Sequence, residues 1–250
     1  MRHRALAMTV AGITLGAAAC SLGDRPQPLV FCHNANCTGD TAPSRADTLD
    51  GLRAALALEG DGRPILDGIE LDVAWDETHA RCAYAHDGER AMTHADLVTA
   101  VGEIAAWRAA NQRELSFLLD LKPGPRPDAV ARCARDAAVM LEYVLVSSSE
   151  PAALRELADA AFPLLAGTGA PRPLGDSRAL AAFDGVPLAG VTLHPRWTTD
   201  QQVIAYRDAG LDLVVWSHVL SVESLDAIDR IQPFAVITGD VELMRAWIAR

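Results

Sequence analysis

Short apolar runs alternate along the chain with longer segments in which apolar residues recur every three or four positions. Runs at 29–33, 68–75, 115–122, 143–148, 163–167, 190–194, 211–217 and 234–238 read as strands, each bounded by turn formers or polar residues. The segments between and after them, 49–58, 95–110, 128–141, 152–161, 177–183, 200–209, 222–231 and 241–249, carry the helical period. Start signals agree: Thr93 or His94 precedes the second helix, Thr199-Asp200 opens the sixth, and Ser221 with Ser224 brackets the seventh. Gly60 and Gly210 are natural stops. Eight strand–helix units predict an α/β protein built as a single (β/α)8 TIM barrel. The alternative, an open doubly wound α/β sheet, would be expected to carry GxGxxG after its first strand, and that motif is absent.

Barrel strands have both faces covered, so polar residues are conspicuous within them. Four clusters stand at or just beyond strand ends: His33-Asn34, Glu70-x-Asp72, His86-Asp87 and Asp120-x-Lys122. Active sites of such barrels are built at the carboxyl ends of the strands. Alternate residues of a strand share a face, so Glu70 and Asp72 point the same way, as do Asp120 and Lys122. Hard oxygens from Asn34, Glu70, Asp72 and Asp120 suit one divalent cation, Mg2+ or Ca2+. His33 and His86 would then act as the catalytic acid/base pair, and Lys122 would neutralise a phosphate oxygen. Later strands add His194 with Arg196 and Trp216 with His218. Of these, Arg196, Trp216 and His218 are candidates for binding the phosphate or the rest of the substrate.

Composition narrows the partners. The formal charge is −11 and no Lys/Arg block is present, which argues against nucleic acid. Half the residues are hydrophobic, enough for a large core, and the chain is expected to be a monomer. Met1-Arg-His-Arg followed by an uncharged stretch from Ala5 to Ala19 reads as a secretory signal, too short to span as an ordinary transmembrane helix. Residues 1–19 are therefore expected to leave on export, with 20–28 a tether and 29–250 the barrel. The segment LGAAAC resembles a lipoprotein signal in which Cys20 is lipidated and anchors the chain to the cell-envelope membrane; a soluble periplasmic or secreted form is the alternative. No CxxC pair exists, so a structural zinc is not expected. Cys37 and Cys82 are expected to form a disulfide or to remain free, while Cys32 and Cys133 read as small buried residues.

Taken together, these residues resemble the phospholipase-C-like phosphodiesterase superfamily, whose members include glycerophosphodiester phosphodiesterases, phosphatidylinositol-specific phospholipases C and sphingomyelinase D-like enzymes. FCHNAN is similar to their first-strand histidine, GIELDVAWD to their E-x-D metal motif, YAHDGE to the second histidine loop, and LLDLKPG to the third-strand acid and lysine. GLDLVVWS and FAVITGD resemble the last two barrel strands. The resemblance implies a phosphodiesterase with His33 and His86 as acid and base and with Glu70, Asp72 and Asp120 as metal ligands. Asn34 is a ligand only in the phospholipase C pattern. The His-Arg-Gly and Pro-Glu-Asn segments typical of glycerophosphodiesterases are replaced by His33-Asn34-Ala35 and an unrelated stretch. That departure moves the likeness toward the phospholipase C and sphingomyelinase D branches, while Asp87 beside His86 resembles the His-Asp of the glycerophosphodiesterases, so the branch within the superfamily stays open. The expected substrate is a phospholipid or related phosphodiester; the rival expectation is a non-catalytic envelope lipoprotein binding a phosphate-bearing or sugar ligand in the barrel mouth.

Overall fold

On strand 68–75 of the sequence pattern, Ile69, Leu71 and Val73 are fully buried, and so are Glu70 and Asp72 on the opposite face. Only a sheet covered on both sides accounts for that, and the computed structural model shows one. It describes residues 27–37, 46–60, 63–167 and 180–250. The expected export signal, Cys20, most of the tether and the first three residues of the expected helix at 177–183 lie outside the described residues.

The elements run β1 (Leu29–Cys32), α1 (Leu49–Leu56), β2 (Glu59–Gly60), β3 (Arg63–Pro64), β4 (Gly68–Asp76), β5 (Arg81–Tyr84), α2 (Gly88–Ala91) and α3 (Leu97–Asn111). They continue with β6 (Ser116–Leu121), α4 (Pro127–Met140), β7 (Val144–Ser148), α5 (Pro151–Arg155) and β8 (Leu164–Gly167). The last are β9 (Leu188–Leu193), α6 (Asp200–Asp208), β10 (Asp212–Ser217), α7 (Val222–Ile231), β11 (Ala235–Thr238) and α8 (Val241–Ile248). Eight of the strands pair in parallel, in the order β1-β4-β6-β7-β8-β9-β10-β11, and the pairing of β11 with β1 closes the barrel. The eight expected strands are all present. Among the described residues no helix is long and apolar enough to cross a membrane.

Two apolar layers hold the barrel. Ile69, Leu71, Val73, Phe117, Leu119 and Val146 face outward against helix residues such as Leu52, Val101, Ile104 and Leu154. Phe31, Leu118, Leu145, Leu165, Val214, Ala235 and Ile237 fill the interior. Each such side chain contributes about 1.5–3 kcal/mol by leaving water. Gly68 is required here, because a Cβ on it would come within 2.4 Å of the Phe31 ring that plugs the barrel.

Helix starts follow their caps. The Thr48 side chain accepts from Gly51 N, Thr199 forms a reciprocal capping box with Gln202, and Ser221 accepts from Ser224 N. Helix α3 begins at Leu97, two residues later than expected. The preceding residues are drawn into a ladder with β5, where Tyr84 N donates to Ala95 O and Ala83 bridges Asp96.

The disulfide expectation is corrected. Cys37 pairs with Cys32 (Cα–Cα 5.4 Å) and Cys82 pairs with Cys133 (Cα–Cα 5.6 Å). The chain doubles back immediately after β1, returning Cys37 to Cys32. Cys82 lies on β5, an antiparallel strand hairpinned onto β4. That hairpin carries it to α4 and Cys133, so neither of these cysteines nor Cys32 is a simple buried thiol.

Candidate active site

The turn after β1 sets the first part of the site. Asn34 and Ala35 both adopt positive φ, 49° and 50°, a conformation that Asn tolerates better than Ala. It is held on all sides. Cys32–Cys37 closes it covalently, Asn36 N donates to His33 O at 2.8 Å, and the Tyr84 hydroxyl donates to Asn34 O at 3.3 Å. The sharp reversal turns Asn34 N onto Glu70 Oε2 at 2.7 Å and leaves Asn34 Oδ1 buried without a hydrogen bond.

Register supplies the acidic cluster. In the ladder between β4 and β6, Asp72 stands opposite Asp120, and Glu70 lies one interior position below Asp72. Oxygens of Glu70, Asp72 and Asp120 lie within 4.8 Å of one another. Lys122 Nζ sits 2.5 Å from Asp72 Oδ1 and 2.5 Å from Asp120 Oδ2, and Ser147 Oγ donates to Asp120 Oδ1 at 2.6 Å. Burial pushes the Glu70 carboxyl well up, and the Asp72 charge adds to this. Burial opposes ionisation of Asp72 too, but the Lys122 ammonium and a hydrogen bond with Glu70 outweigh it and hold that carboxyl down. Burial likewise works against the Lys122 charge, and Asp120 and Asp72 overcome it, keeping the ammonium well above its ordinary range.

These donors fit a hard divalent cation. Three carboxylates face a single ammonium, and Asn34 Oδ1 is an unused buried acceptor beside them. A cation of this kind takes oxygen ligands of just these types.

A cavity of 260 Å³ opens at the carboxyl ends of the strands, bordered by His33, His86, Glu70, Asp120 and Lys122. His33 Nδ1 is 3.0 Å from His218 Nδ1. Burial lowers the His33 pKa to about 4, with Asp72 opposing and His218, Lys122 and His86 assisting. His86 is more open, and its Nδ1 lies 3.7 Å from Asp87 Oδ2. Ser147, Ser149, Thr192 and Trp216 line the other side, with Leu118 and Ile237 also bordering the cavity. Trp216 meets the His194 ring edge-on at 4.7 Å, and Trp197 stacks on His194 at 3.9 Å.

Sequence reasoning thus places His33, His86, Glu70, Asp120, Lys122 and Trp216 around one space, with Asp72 and Asn34 buried alongside. Two of its candidates fall elsewhere. Arg196 is exposed and does not border the cavity; β9 ends at Leu193 and Pro195 opens a 3-10 turn, so the two-residue strand period no longer applies there. His218 follows the end of β10 and engages His33 instead of bordering the cavity. Asp47, Tyr84, Ser147 and Trp197 were not anticipated. Ser147 had a readable signal, a polar pair ending an apolar strand run; Asp47 lies in a loop and Trp197 in the 3-10 turn after β9, where no strand period applies.

No family model matches the sequence, and no curated protein matches it. Solved structures do match in fold. A phosphodiesterase of Oleispira antarctica, in complex with the product sn-glycerol-3-phosphate, superposes with a TM-score of 0.67 at 16% identity, covering 90% of this chain and 98% of its own. A glycerophosphodiester phosphodiesterase of Parabacteroides distasonis gives 0.64 at 13% identity, with 89% and 97% covered. The glycerophosphodiester phosphodiesterase of Thermotoga maritima gives 0.63 at 14%, with 89% and 99% covered. The chain therefore shares its barrel fold with these phosphodiesterases over essentially their whole length.

Proposed function

We propose that this protein is a divalent-metal-dependent phosphoric diester hydrolase, or a lyase forming a cyclic phosphate, acting on a phospholipid or related phosphodiester. The observation that carries this reading is the convergence of two histidines, an acidic cluster and a lysine on one cavity at the carboxyl ends of the barrel strands. The neighbour that holds sn-glycerol-3-phosphate supports a phosphodiester substrate.

Glu70, Asp72, Asp120 and Asn34 Oδ1 would hold Mg2+ or Ca2+, which when bound supplies positive charge to a phosphoryl oxygen. Lys122 binds a non-bridging oxygen from the cavity wall. His33, neutral near pH 7 because of its burial, accepts the nucleophile's proton at Nε2, since Nδ1 is engaged by His218. His86 returns a proton to the departing oxygen at the open side. With water as nucleophile the phosphate product is a monoester; with a neighbouring hydroxyl of the substrate it is a cyclic phosphate. Leu118, Ile237 and Trp216 give the cavity an apolar side against which the rest of the headgroup packs.

The same reading includes export by residues 1–19 and anchoring through a lipidated Cys20. The disulfides Cys32–Cys37 and Cys82–Cys133 support an oxidising compartment. The test is turnover of bis-p-nitrophenyl phosphate and of a panel of glycerophosphodiesters and phospholipids, with and without EDTA. Activity should vanish on chelation and return with Mg2+ or Ca2+. Turnover that persists without metal, or is unchanged in the pair Glu70→Ala and Asp72→Ala, sinks the proposal.

A further inference from the structure

The geometry points to Arg81 as a positioning residue for His86: its guanidinium clamps the segment that carries this histidine and so holds the ring where it can deliver a proton. The inference rests on the acid/base reading above and deepens it.

Between His86 and Asp96 only Ala91 is buried. Its methyl group packs with Ala74, Ala83 and Ala85 in a cluster of alanines separate from the main core. So small a contact contributes about 1 kcal/mol, against an ordering cost of about 1–2 kcal/mol for each backbone residue of the segment. Hydrogen bonds within it, such as Ala91 N to Asp87 O and His94 N to Arg90 O, both 3.0 Å, shape the segment without tying it to the barrel. Something else must hold it down.

Arg81 makes that tie. It stands on β5 opposite Asp76 of β4, and its Nε donates to Asp76 Oδ2 at 3.0 Å. The Asp76 carboxylate is fully buried and also accepts from Thr78 N at 3.0 Å, His79 N at 3.2 Å and His79 Nδ1 at 2.7 Å, so the footing is firm. From there the guanidinium reaches across to the segment. Nη2 donates to Ala91 O at 2.9 Å and to His94 O at 3.0 Å, and Nη1 pairs with Asp96. Tyr84 N adds one bond, to Ala95 O at 2.9 Å. His86 is thus set between two fixed points, Ala85 N on Asp72 O at 3.1 Å before it and Ala91 O on Arg81 after it. Its Nδ1 is 3.7 Å from Asp87 Oδ2, beyond a hydrogen bond, so the ring takes its placement from the backbone. A lysine carries the same charge but lacks the planar fork that satisfies Asp76, Ala91, His94 and Asp96 together.

Leaving groups test the role. An alkyl phosphodiester expels an alkoxide, which needs the His86 proton as the P–O bond breaks, whereas bis-p-nitrophenyl phosphate expels a stable phenolate that needs little help. The quantity to follow is the ratio of kcat on the best alkyl phosphodiester of the panel above to kcat on bis-p-nitrophenyl phosphate. In Arg81→Ala it should fall by about 10–100-fold, as for a misplaced catalytic group, and in the same direction as in His86→Ala. Added methylguanidinium should restore part of it. Combining Arg81→Ala with His86→Ala should lower the ratio no further than His86→Ala alone, because the first acts through the second. Arg81→Lys, which should show the same fall, serves if the alanine variant does not fold. A wild-type ratio in a folded Arg81 variant, or losses that multiply in the double variant, overturns the inference and leaves His86 as the acid. A wild-type ratio in His86→Ala overturns the acid role and the inference with it, and no turnover by the wild type overturns the phosphodiesterase reading as well.

Discussion

The two histidines of the cavity reach it from opposite physical regimes. His33 is packed in a turn closed by Cys32–Cys37, touches His218 at 3.0 Å, and has a pKa pushed down to about 4. His86 stands at the end of the β5 hairpin with 53% of its side chain exposed, beside an aspartate whose carboxylate also caps α2. One imidazole is held in a packed turn and kept neutral by burial; the other stands open to solvent. On the acid–base mechanism proposed above, a pair built this way would divide the labour of proton transfer by environment, since the side chains themselves are identical.

The largest expected effect comes from removing either ring. His33→Ala and His86→Ala should each lower kcat by about 10²–10⁴-fold, the usual contribution of a positioned acid or base. Added imidazole should then separate them. It should restore part of the activity of His86→Ala, whose place opens to solvent, and much less in His33→Ala, whose half-buried place is hemmed in by the disulfide turn and His218. Equal rescue of the two variants would erase the contrast.

The disulfides offer a second way to sharpen it, since each supports one histidine. Cys32–Cys37 spans a sequence separation of 5 around His33, while Cys82–Cys133 spans 51 and anchors the hairpin leading to His86. Chain-entropy arguments give about 2 kcal/mol for the short closure and about 4 kcal/mol for the long one. Serine replacement of Cys82 and Cys133 should therefore cost more in guanidinium midpoint. Replacement of Cys32 and Cys37 should cost less stability and more kcat, because Asn34 and Ala35 lose the clamp that holds their positive φ. Denaturation curves and kcat measured on both double variants check this, and the reverse ordering would show that the turn does not depend on its bridge.

Much of this arrangement was legible in the sequence because strands obey a strict period. Ile69, Leu71 and Val73 alternate with Glu70 and Asp72, and the end of an apolar run marks where a barrel strand meets the mouth. From those two facts the acidic cluster followed, and the parallel register placed Asp120 beside Asp72. Legibility failed where the period stops. Arg81–Tyr84 is too short and polar to announce a strand, so the hairpin and its Cys82–Cys133 bridge were hidden. Arg196 was judged by strand spacing across Pro195, which had already turned the chain. Asp47 belongs to no periodic element; its setting is created by the fold alone, when the chain returns from the first turn to lie against Asp72.

The smallest predicted effect tests whether His33 is enclosed as tightly as the comparison requires. Its pKa falls from 6.5 to about 4 on folding, so between those values the unfolded chain binds a proton that the native protein does not. Unfolding free energy then falls as the pH drops through that window and is restored as the pH rises. From pH 7 to pH 5 the loss due to this one group is about 2 kcal/mol, at 1.36 kcal/mol per unit of displacement. His33→Asn retains a polar side chain of similar reach without the titration. Urea unfolding in EDTA at pH 7 and pH 5 should therefore show the wild type losing about 2 kcal/mol more than the variant. Parallel losses would mean that His33 protonates in the fold as it does in water, and the division between a buried base and an open acid would fall with it.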